Sequence, residues 1–333
     1  MSTLTYPEAM VVGLLQGVTE LFPVSSLGHS VLIPAIIGGS WAQDLSVSKP
    51  ESPYLAFIVG LHVATAAAMI LYYWRDWARI IVGFCTSIRY RRVSTAQERL
   101  AWMIILATIP VGLTGLLLEH TFRVYLSRPW LTSLFLMANG LILIAGDRRR
   151  KAVAQEVTAG EEVTAAGEVT ASGGATRPAW QGQPQQQQLE GAEAGKGGIA
   201  ADRRLSAMGY VRAVLIGAAQ VLALCPGISR DGIVMVTSMR TGLSRQDAVR
   251  YSFLLSAPVI LAAGALKLKD LFGPLGTGIH GQVAVGSALS FVGAFFAVWF
   301  LTKYVGEARS LRPFGVYCLA AGLFAFIFVL AFR

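Results

Sequence analysis

The sequence is poor in charge. Only 14% of its 333 residues are Asp, Glu, Lys or Arg, whereas 54% are hydrophobic and the mean hydropathy is +0.56. A soluble domain carries about 25% charged residues. So few charges over so many apolar runs exclude an ordinary water-soluble fold and predict an integral membrane protein.

Cysteine is scarce as well. The three cysteines, Cys85, Cys225 and Cys318, are scattered along the chain, which argues against both a disulfide framework and a metal knuckle. The first nine residues contain no basic side chain and no small-residue cleavage pattern follows them, so a cleavable signal is not expected. Membrane insertion is expected to depend on the apolar spans themselves.

The formal net charge of +9 comes from basic residues that lie largely in short stretches between apolar segments. Such stretches are typical of cytoplasmic loops, and they place residues 75–99 and 148–212 on the cytoplasmic side. The basic, amphipathic stretch 75–93 predicts an interfacial helix. No basic stretch is interleaved with aromatic residues as a base-stacking surface would be, so no nucleic-acid partner is expected.

Six stretches reach or approach the roughly 20 apolar residues that a bilayer-spanning helix needs. They are residues 54–74, 100–118, 130–146, 251–268, 282–302 and 314–332. Two further apolar regions, 11–38 and 211–239, are interrupted by polar turns. An arm of about 12 residues extends about 18 Å, roughly half the bilayer. Each region is therefore predicted to form a re-entrant helical hairpin with its polar tip near mid-membrane.

One hairpin followed by three spans occurs twice, in residues 1–148 and 206–333. The halves share a short signature, LFPVSS at 21–26 against LCPGIS at 224–229. Three crossings per half make the second half start from the opposite face. The sequence thus predicts an all-α polytopic membrane protein with an inverted-topology repeat. Residues 149–205 are rich in Gly, Pro and Gln and are predicted to be a disordered cytoplasmic linker.

Polar side chains cluster at both hairpin tips, at a depth where polar groups are costly and functional residues are expected. The set comprises Gln16, Glu20, Ser25, Ser26 and His29 in the first hairpin, and Ser229 and Arg230 in the second. A guanidinium suits phosphate recognition, and a carboxylate can hold a divalent cation that bridges phosphate oxygens. An imidazole can transfer protons near neutral pH. The pattern predicts a site for a phosphate or pyrophosphate group of a membrane lipid.

Structural interpretations of these residues stay open at this point. Ser25 could bond to a backbone carbonyl, and His29 could cap a helix end. Glu20 and Arg230 could form an ion pair that only joins the hairpins. We interpret His62, in the first predicted span, as a packing or hydrogen-bonding residue. The density of polar groups at two half-span tips favours function.

Around these residues the sequence resembles the bacterial undecaprenyl-pyrophosphate phosphatases, the bacitracin-resistance family. Residues 16–29 (QGVTELFPVSSLGH) resemble the family motif (E/Q)GxxEFLPVSSxGH, and residues 226–230 (PGISR) resemble the start of PGxSRSxxT. Residues 251–258 resemble the segment downstream. The resemblance covers the chain apart from the linker. It implies that undecaprenyl pyrophosphate is hydrolysed to undecaprenyl phosphate, which recycles the lipid carrier of cell-wall synthesis and confers resistance to bacitracin.

The resemblance also implies roles for the polar residues. Glu20, helped by Gln16, would hold a divalent cation, either Mg²⁺ or Ca²⁺. The pyrophosphate would be bound by Arg230 together with Ser25, Ser26 and Ser229. Ser26 and His29 would attack or activate the attacking group, and the sequence does not distinguish them from a metal-assisted water.

The implied location is the bacterial inner membrane, with the site open to the periplasm. The implied partners are a polyprenyl pyrophosphate lipid and the bilayer, with a homodimer left open. The alternative function is a polyprenyl-phosphate flippase or transporter, because inverted repeats with broken helices are a transporter architecture. A scaffold without activity would leave Glu20 and Arg230 unexplained.

The second motif departs from the family pattern at two positions. Asp231 stands where the pattern has serine, and Val234 stands where it has threonine. A carboxylate at position 231 would repel phosphate unless it met the cation or paired with Arg230. Asp231 is therefore a further candidate ligand for the cation, and the exchange also removes two hydroxyl donors.

Overall fold

The computed structural model describes residues 4–45, 53–147, 197–273, 277–306 and 310–332, and this part of the chain is helical without a strand. The helices are α1 (Tyr6–Leu21), α2 (Ser26–Ile37), α3 (Gly39–Asp44), α4 (Pro53–Tyr72), α5 (Trp74–Tyr90), α6 (Ala96–Thr121), α7 (Pro129–Asp147), α8 (Gly197–Ala207), α9 (Tyr210–Ala219), α10 (Arg230–Arg240), α11 (Arg245–Phe272), α12 (His280–Gly306) and α13 (Arg312–Phe332). A π-helical turn, Phe122–Leu126, follows α6, and a 3₁₀ turn, Gln220–Leu224, extends α9.

Six helices correspond to the six predicted spans. Helices α6, α7, α11, α12 and α13 are each long and apolar enough to cross a membrane, and α4 is an apolar helix of 20 residues. Many large apolar side chains on these helices are exposed, among them Leu117, Val292, Phe296, Phe324, Ile327 and Leu330. Apolar surface of this extent is stable against lipid rather than water. The chain is a multi-pass, all-helical membrane protein.

Helix α5 is a separate element at the end of α4. The two helices meet at an angle of 88°, as an interfacial helix after a membrane span would. Ile80 and Ser87 of α5 are buried against the protein, whereas Trp74 and Tyr90 at its two ends are exposed.

Helix α8 lies partly inside the predicted linker and corrects its boundary. Asp202 and Leu205 of this helix are fully buried. Asp202 accepts hydrogen bonds from Arg79 of α5 at 3.1 Å and from Arg250 of α11 at 2.5 Å. These contacts stabilise residues 197–205 as packed helix, so the predicted linker extended too far. Its remaining residues, 149–196, lie outside the described part of the chain.

The two halves of the chain are interleaved. Helix α1 packs on α12, the middle span of the second half, and α9 packs on α6, the middle span of the first half. Helix α2 contacts α13, and α10 contacts α7. The first spans, α4 and α11, pack on each other, as do the third spans, α7 and α13. Each contact has a counterpart with the halves exchanged, which is the pattern that an inverted repeat predicts.

The close approach of α1 to α12 depends on small residues. Gly13 and Gly17, four residues apart on α1, face Gly286 and Ser290 of α12. A Cβ atom on Gly17 would lie 2.2 Å from the carbonyl oxygen of Ser290, which is far inside van der Waals contact. Pairs of small residues at this spacing allow membrane helices to pack backbone against backbone. This contact sets the position of α1, which carries Gln16 and Glu20.

We therefore expect Gly17→Ala to lower the stability of the protein. Overpacking of this kind typically costs about 1–3 kcal/mol, and here the added methyl group would meet rigid backbone. The matched control is Gly112→Ala on α6, where an added Cβ has nothing within 4 Å. Thermal unfolding in one detergent compares the two variants with the parent protein. Equal midpoints for Gly17→Ala and Gly112→Ala would contradict the packing argument.

Candidate active site

Both hairpin tips end in a serine that caps the following helix. Ser25 Oγ accepts a hydrogen bond from the backbone N–H of Gly28 at 3.2 Å, and Ser229 Oγ accepts one from Gly232 at 3.1 Å. These bonds satisfy amide groups that the first turn of a helix leaves free. The two caps pair Ser25 with Ser229. The short sequence signature instead aligns Ser26 with Ser229. The sequence alignment of the two tips is therefore shifted by one residue from their structural equivalence.

The two tips touch each other directly. The backbone N–H of Gly227 donates to Ser25 Oγ at 3.2 Å, so one hydroxyl holds its own helix cap and the opposite tip. Gly227 has a φ of 112°, a conformation that side chains rarely adopt. An added Cβ on Gly28 would lie 3.0 Å from the Cα of Gly227. In this structure Ser25 bonds to backbone N–H groups and joins the two hairpins.

Asn139 of α7 joins the same two tips from the side. Its Nδ2 donates to the carbonyl oxygen of Pro23 at 2.9 Å, and its Oδ1 accepts from the N–H of Ser229 at 3.0 Å. The residue is fully buried. Asn139 is not among the residues predicted from the sequence, although an amide in a predicted span is itself a signal of function or of a buried polar network.

Glu20 lies at the centre of the polar cluster. Its carboxylate accepts hydrogen bonds from Gln16 Nε2 at 2.9 Å, from Ser26 Oγ and from a guanidinium nitrogen of Arg230. The exposed fraction of its side chain is only 5%. The structure thus brings together four residues that the sequence singled out. It also contains the Glu20–Arg230 ion pair that was the structural alternative for these two residues.

His62 of α4 belongs to this cluster. Its Nε2 lies 3.2 Å from Gln16 Nε2 and 3.5 Å from a carboxylate oxygen of Glu20. Its Nδ1 donates to the carbonyl oxygen of Ile58 at 2.9 Å. The sequence predicted a packing or hydrogen-bonding histidine, and His62 does form hydrogen bonds. Its place beside Glu20 follows from the packing of α4 against α1, which the sequence does not specify.

His29 lies in the first turn of α2 but has other partners. Its Nδ1 donates to the carbonyl oxygen of Ser25 at 2.7 Å, and its Nε2 lies 2.8 Å from the hydroxyl of Tyr317 on α13. The two rings are stacked with centroids 5.8 Å apart. Within the described ranges, neither ring nitrogen bonds to Ser26 or Glu20. The structure therefore does not bond His29 to the Glu20–Arg230 ion pair.

Asp231 forms its hydrogen bonds with α11. Its Oδ1 accepts from the hydroxyls of Ser252 at 2.7 Å and Ser256 at 2.5 Å, and the residue is fully buried. The two serines lie four residues apart on one face of α11. Among the residues described, Asp231 makes no hydrogen bond to Arg230 or Glu20. The hydroxyls of Ser252 and Ser256 thus accommodate one oxygen of this carboxylate. The role of Asp231 as a cation ligand stays a prediction.

Fold and site together define a class of protein. This is a multi-pass membrane protein in which two half-span hairpins join a carboxylate, a hydroxyl and a guanidinium within the apolar layer. Such a combination suits an anionic lipid headgroup.

Comparison with known proteins specifies the family. The family model described as "Bacitracin resistance protein BacA" matches residues 9–175 and 185–324, and the chain belongs to this family. It is 54% identical over 319 residues to the undecaprenyl-diphosphatase of Mycolicibacterium paratuberculosis, covering 96% of this chain and 95% of that protein. It is 46% identical to undecaprenyl-diphosphatase 1 of Frankia casuarinae, with 97% of both chains covered. It is 35% identical to undecaprenyl-diphosphatase 2 of Chromobacterium violaceum, covering 97% of this chain and 98% of that protein.

Replacement of Asn139 by leucine should separate the two hairpin tips. The variant would leave the N–H of Ser229 buried without a partner, at a cost of about 1–3 kcal/mol. The carbonyl of Pro23 would keep only a weak contact with Cys318 Sγ at 3.9 Å. The control is Thr132→Val on the same helix, whose buried hydroxyl has no hydrogen-bond partner in the part of the chain that is described. Unfolding midpoints measured in detergent should fall for Asn139→Leu and stay near the parent value for the control. A parental midpoint for Asn139→Leu would contradict the bridging role.

Proposed function

We propose that this protein hydrolyses undecaprenyl pyrophosphate to undecaprenyl phosphate and inorganic phosphate. The reaction recycles the lipid carrier of cell-wall synthesis and confers resistance to bacitracin. The observation that carries the proposal is the meeting of Glu20, Ser26 and Arg230 where the two hairpin tips touch. The names of the relatives, which match along nearly their whole length, support the same activity.

The ion pair provides a charge-neutral resting state for the site. A buried charge without a partner would cost several kcal/mol, so Glu20 and Arg230 neutralise each other while no substrate is bound. A diphosphate carries several negative charges and competes for the guanidinium, which suits bidentate contact with phosphate oxygens. Binding therefore draws Arg230 to the substrate and releases the carboxylate of Glu20 for chemistry.

The hydrogen bond between Ser26 and Glu20 favours Ser26 as the attacking group. A hydroxyl beside a base is the usual form of an activated nucleophile. In the proposed reaction Ser26 Oγ attacks the terminal phosphorus, its proton passes to Glu20, and the bond to the bridging oxygen breaks. Undecaprenyl phosphate leaves, and water then hydrolyses the phosphoserine to restore Ser26 and release phosphate. His29 has the lesser role of holding the first turn of α2 through Ser25 and Tyr317.

The residues present fit a divalent cation that is shared with the substrate. Glu20 supplies a carboxylate and Gln16 an amide, whereas no group of three or more His, Cys, Asp or Glu residues suited to a metal occurs among the described residues. Mg²⁺ is commonly held by one or two carboxylates together with substrate phosphates. We propose that Glu20 and Gln16 hold Mg²⁺ or Ca²⁺ in this way. Such an ion would offset the negative charge of the diphosphate.

The proposal includes a location. Basic residues in the loop that contains α5, and in the segment after α7, favour a cytoplasmic position for both. We propose that the protein resides in the bacterial inner membrane with its site open to the periplasm. We also include a homodimer in the proposal, to be tested by measuring the mass of the protein in detergent.

Glu20→Gln and Arg230→Ala should each lower phosphate release from undecaprenyl pyrophosphate by at least about 100-fold, because each removes a group that contacts the reacting atoms. Release of inorganic phosphate by purified protein measures the effect. The matched control is Glu8→Gln, a change to another buried carboxylate on α1 that caps the start of the helix. It should affect stability but leave phosphate release close to the parent rate.

Two results would contradict this proposal. One is parental phosphate release by either site variant. The other is transport of the lipid across liposomes by the parent protein without phosphate release, which would favour a carrier. Unfolding midpoints of the variants show whether lost activity reflects lost folding.

Chelation should abolish activity if a divalent cation is needed. We expect phosphate release to stop in excess EDTA and to return when Mg²⁺ or Ca²⁺ is added beyond the chelator. The unfolding midpoint should change little, because the substrate-free site is neutralised by its own ion pair. Undiminished release in EDTA would remove the cation from the proposal and leave the serine mechanism in place.

A further inference from the structure

His62 belongs to the site but lies outside the two motifs that resemble the family. It lies on α4, outside both hairpins, yet its Nε2 is 3.2 Å from Gln16 Nε2 and 3.5 Å from the carboxylate of Glu20. Gln16 and Glu20 are the two residues to which the proposed function assigns the cation. The imidazole of His62 is a third polar group beside these two residues.

The orientation of the imidazole is set by its other nitrogen. A carbonyl oxygen can only accept, so the hydrogen bond at 2.9 Å between Nδ1 and the carbonyl of Ile58 places a ring proton on Nδ1. In the neutral form of the imidazole, the lone pair is then on Nε2 and is directed into the cluster. Histidines that bind metals are held in this manner, with the second nitrogen donating to a backbone carbonyl or a carboxylate.

Two bases converge on one amide group. Gln16 Nε2 is 2.9 Å from a carboxylate oxygen of Glu20 and 3.2 Å from Nε2 of His62. The amide nitrogen thus lies between the carboxylate of Glu20 and the imidazole of His62. A 180° rotation of the Gln16 amide would direct its oxygen into the cluster in place of its nitrogen. The cluster would then contain three electron-pair donors, Gln16 and Glu20 from α1 and His62 from α4.

Exposure differs between the two bases. The exposed fraction of the His62 side chain is 32%, against 5% for Glu20. The imidazole therefore borders the accessible side of the cluster, where an ion or a phosphate oxygen can reach Nε2 without displacing the protein core. A histidine with a purely structural role in α4 would not need its free nitrogen directed toward a carboxylate.

We propose that His62 is a nitrogen ligand of the cation site, together with Glu20 and Gln16. The inference rests on the cation of the proposed function and extends it to a specific donor set. Imidazole favours transition metals more than it favours Mg²⁺ or Ca²⁺, which prefer oxygen. A site with His62 should therefore bind Mn²⁺ more tightly, relative to Ca²⁺, than the same site without it.

The test measures metal binding and not activity. The full-length protein in lipid nanodiscs is titrated with Mn²⁺ in the presence of methylenediphosphonate, a diphosphate group that cannot be hydrolysed. Electron paramagnetic resonance gives the dissociation constant, and its pulsed form detects coupling between Mn²⁺ and a coordinated ¹⁴N nucleus. We expect such coupling in the parent protein. In His62→Leu the coupling should be lost and Mn²⁺ affinity should fall at least about tenfold, with a smaller change for Ca²⁺.

The control is His29→Gln, which removes the histidine of the first hairpin, whose nitrogens bond to Ser25 and Tyr317. Its ¹⁴N coupling should persist. Two results would overturn the role of His62: Mn²⁺ binding to the parent protein without nitrogen coupling, or coupling and affinity that are unchanged in His62→Leu. Either result would leave the oxygen-ligated cation and the hydrolysis intact. Failure of the parent protein to bind Mn²⁺ would overturn the nitrogen ligand and weaken the cation proposal. Phosphate release in EDTA then tests hydrolysis separately.

Discussion

The ion pair between Glu20 and Arg230 is the interaction on which the site depends. One partner comes from α1 in the first half of the chain and the other from α10 in the second, so the pair exists only when both hairpin tips meet. Charges at this depth are costly unless they are paired. The apolar surroundings make the pair strong, and they also make its opening depend on the arrival of other charges, such as those of a diphosphate.

The meeting of the tips is itself held by neutral groups. Ser25 accepts from the backbone of Gly227, and Asn139 bonds to Pro23 of one tip and Ser229 of the other. Buried backbone groups need partners, and turns within a membrane have no water to supply them. These hydrogen bonds therefore satisfy the turns and align the charged residues beside them. The same logic explains Asp231, whose carboxylate is matched by two hydroxyls of α11 rather than by the ion pair.

The interleaved halves explain why such tips can meet at all. Each hairpin packs mainly on spans of the other half, through contacts such as Gly17 on Ser290 and Gly217 on Ala107, where no side chain fits between the backbones. Contact at this distance compensates for the absence of a hydrophobic driving force between helices in lipid. A half of the chain alone would therefore lack both the packing partner of its hairpin and one member of the ion pair.

Reading the sequence was enough to predict the membrane class, the six spans, the two interrupted hairpins and the polar residues Gln16, Glu20, Ser26 and Arg230. These follow from hydropathy, segment length and the cost of polar groups in lipid, all of which act locally along the chain. The packing of the helices was needed to show that His62 and Asn139 lie beside the other polar residues, that His29 bonds to Tyr317, and that residues 197–205 form a packed helix. Each of these depends on which helix lies beside which, and that is set by side-chain fit between segments far apart in the sequence.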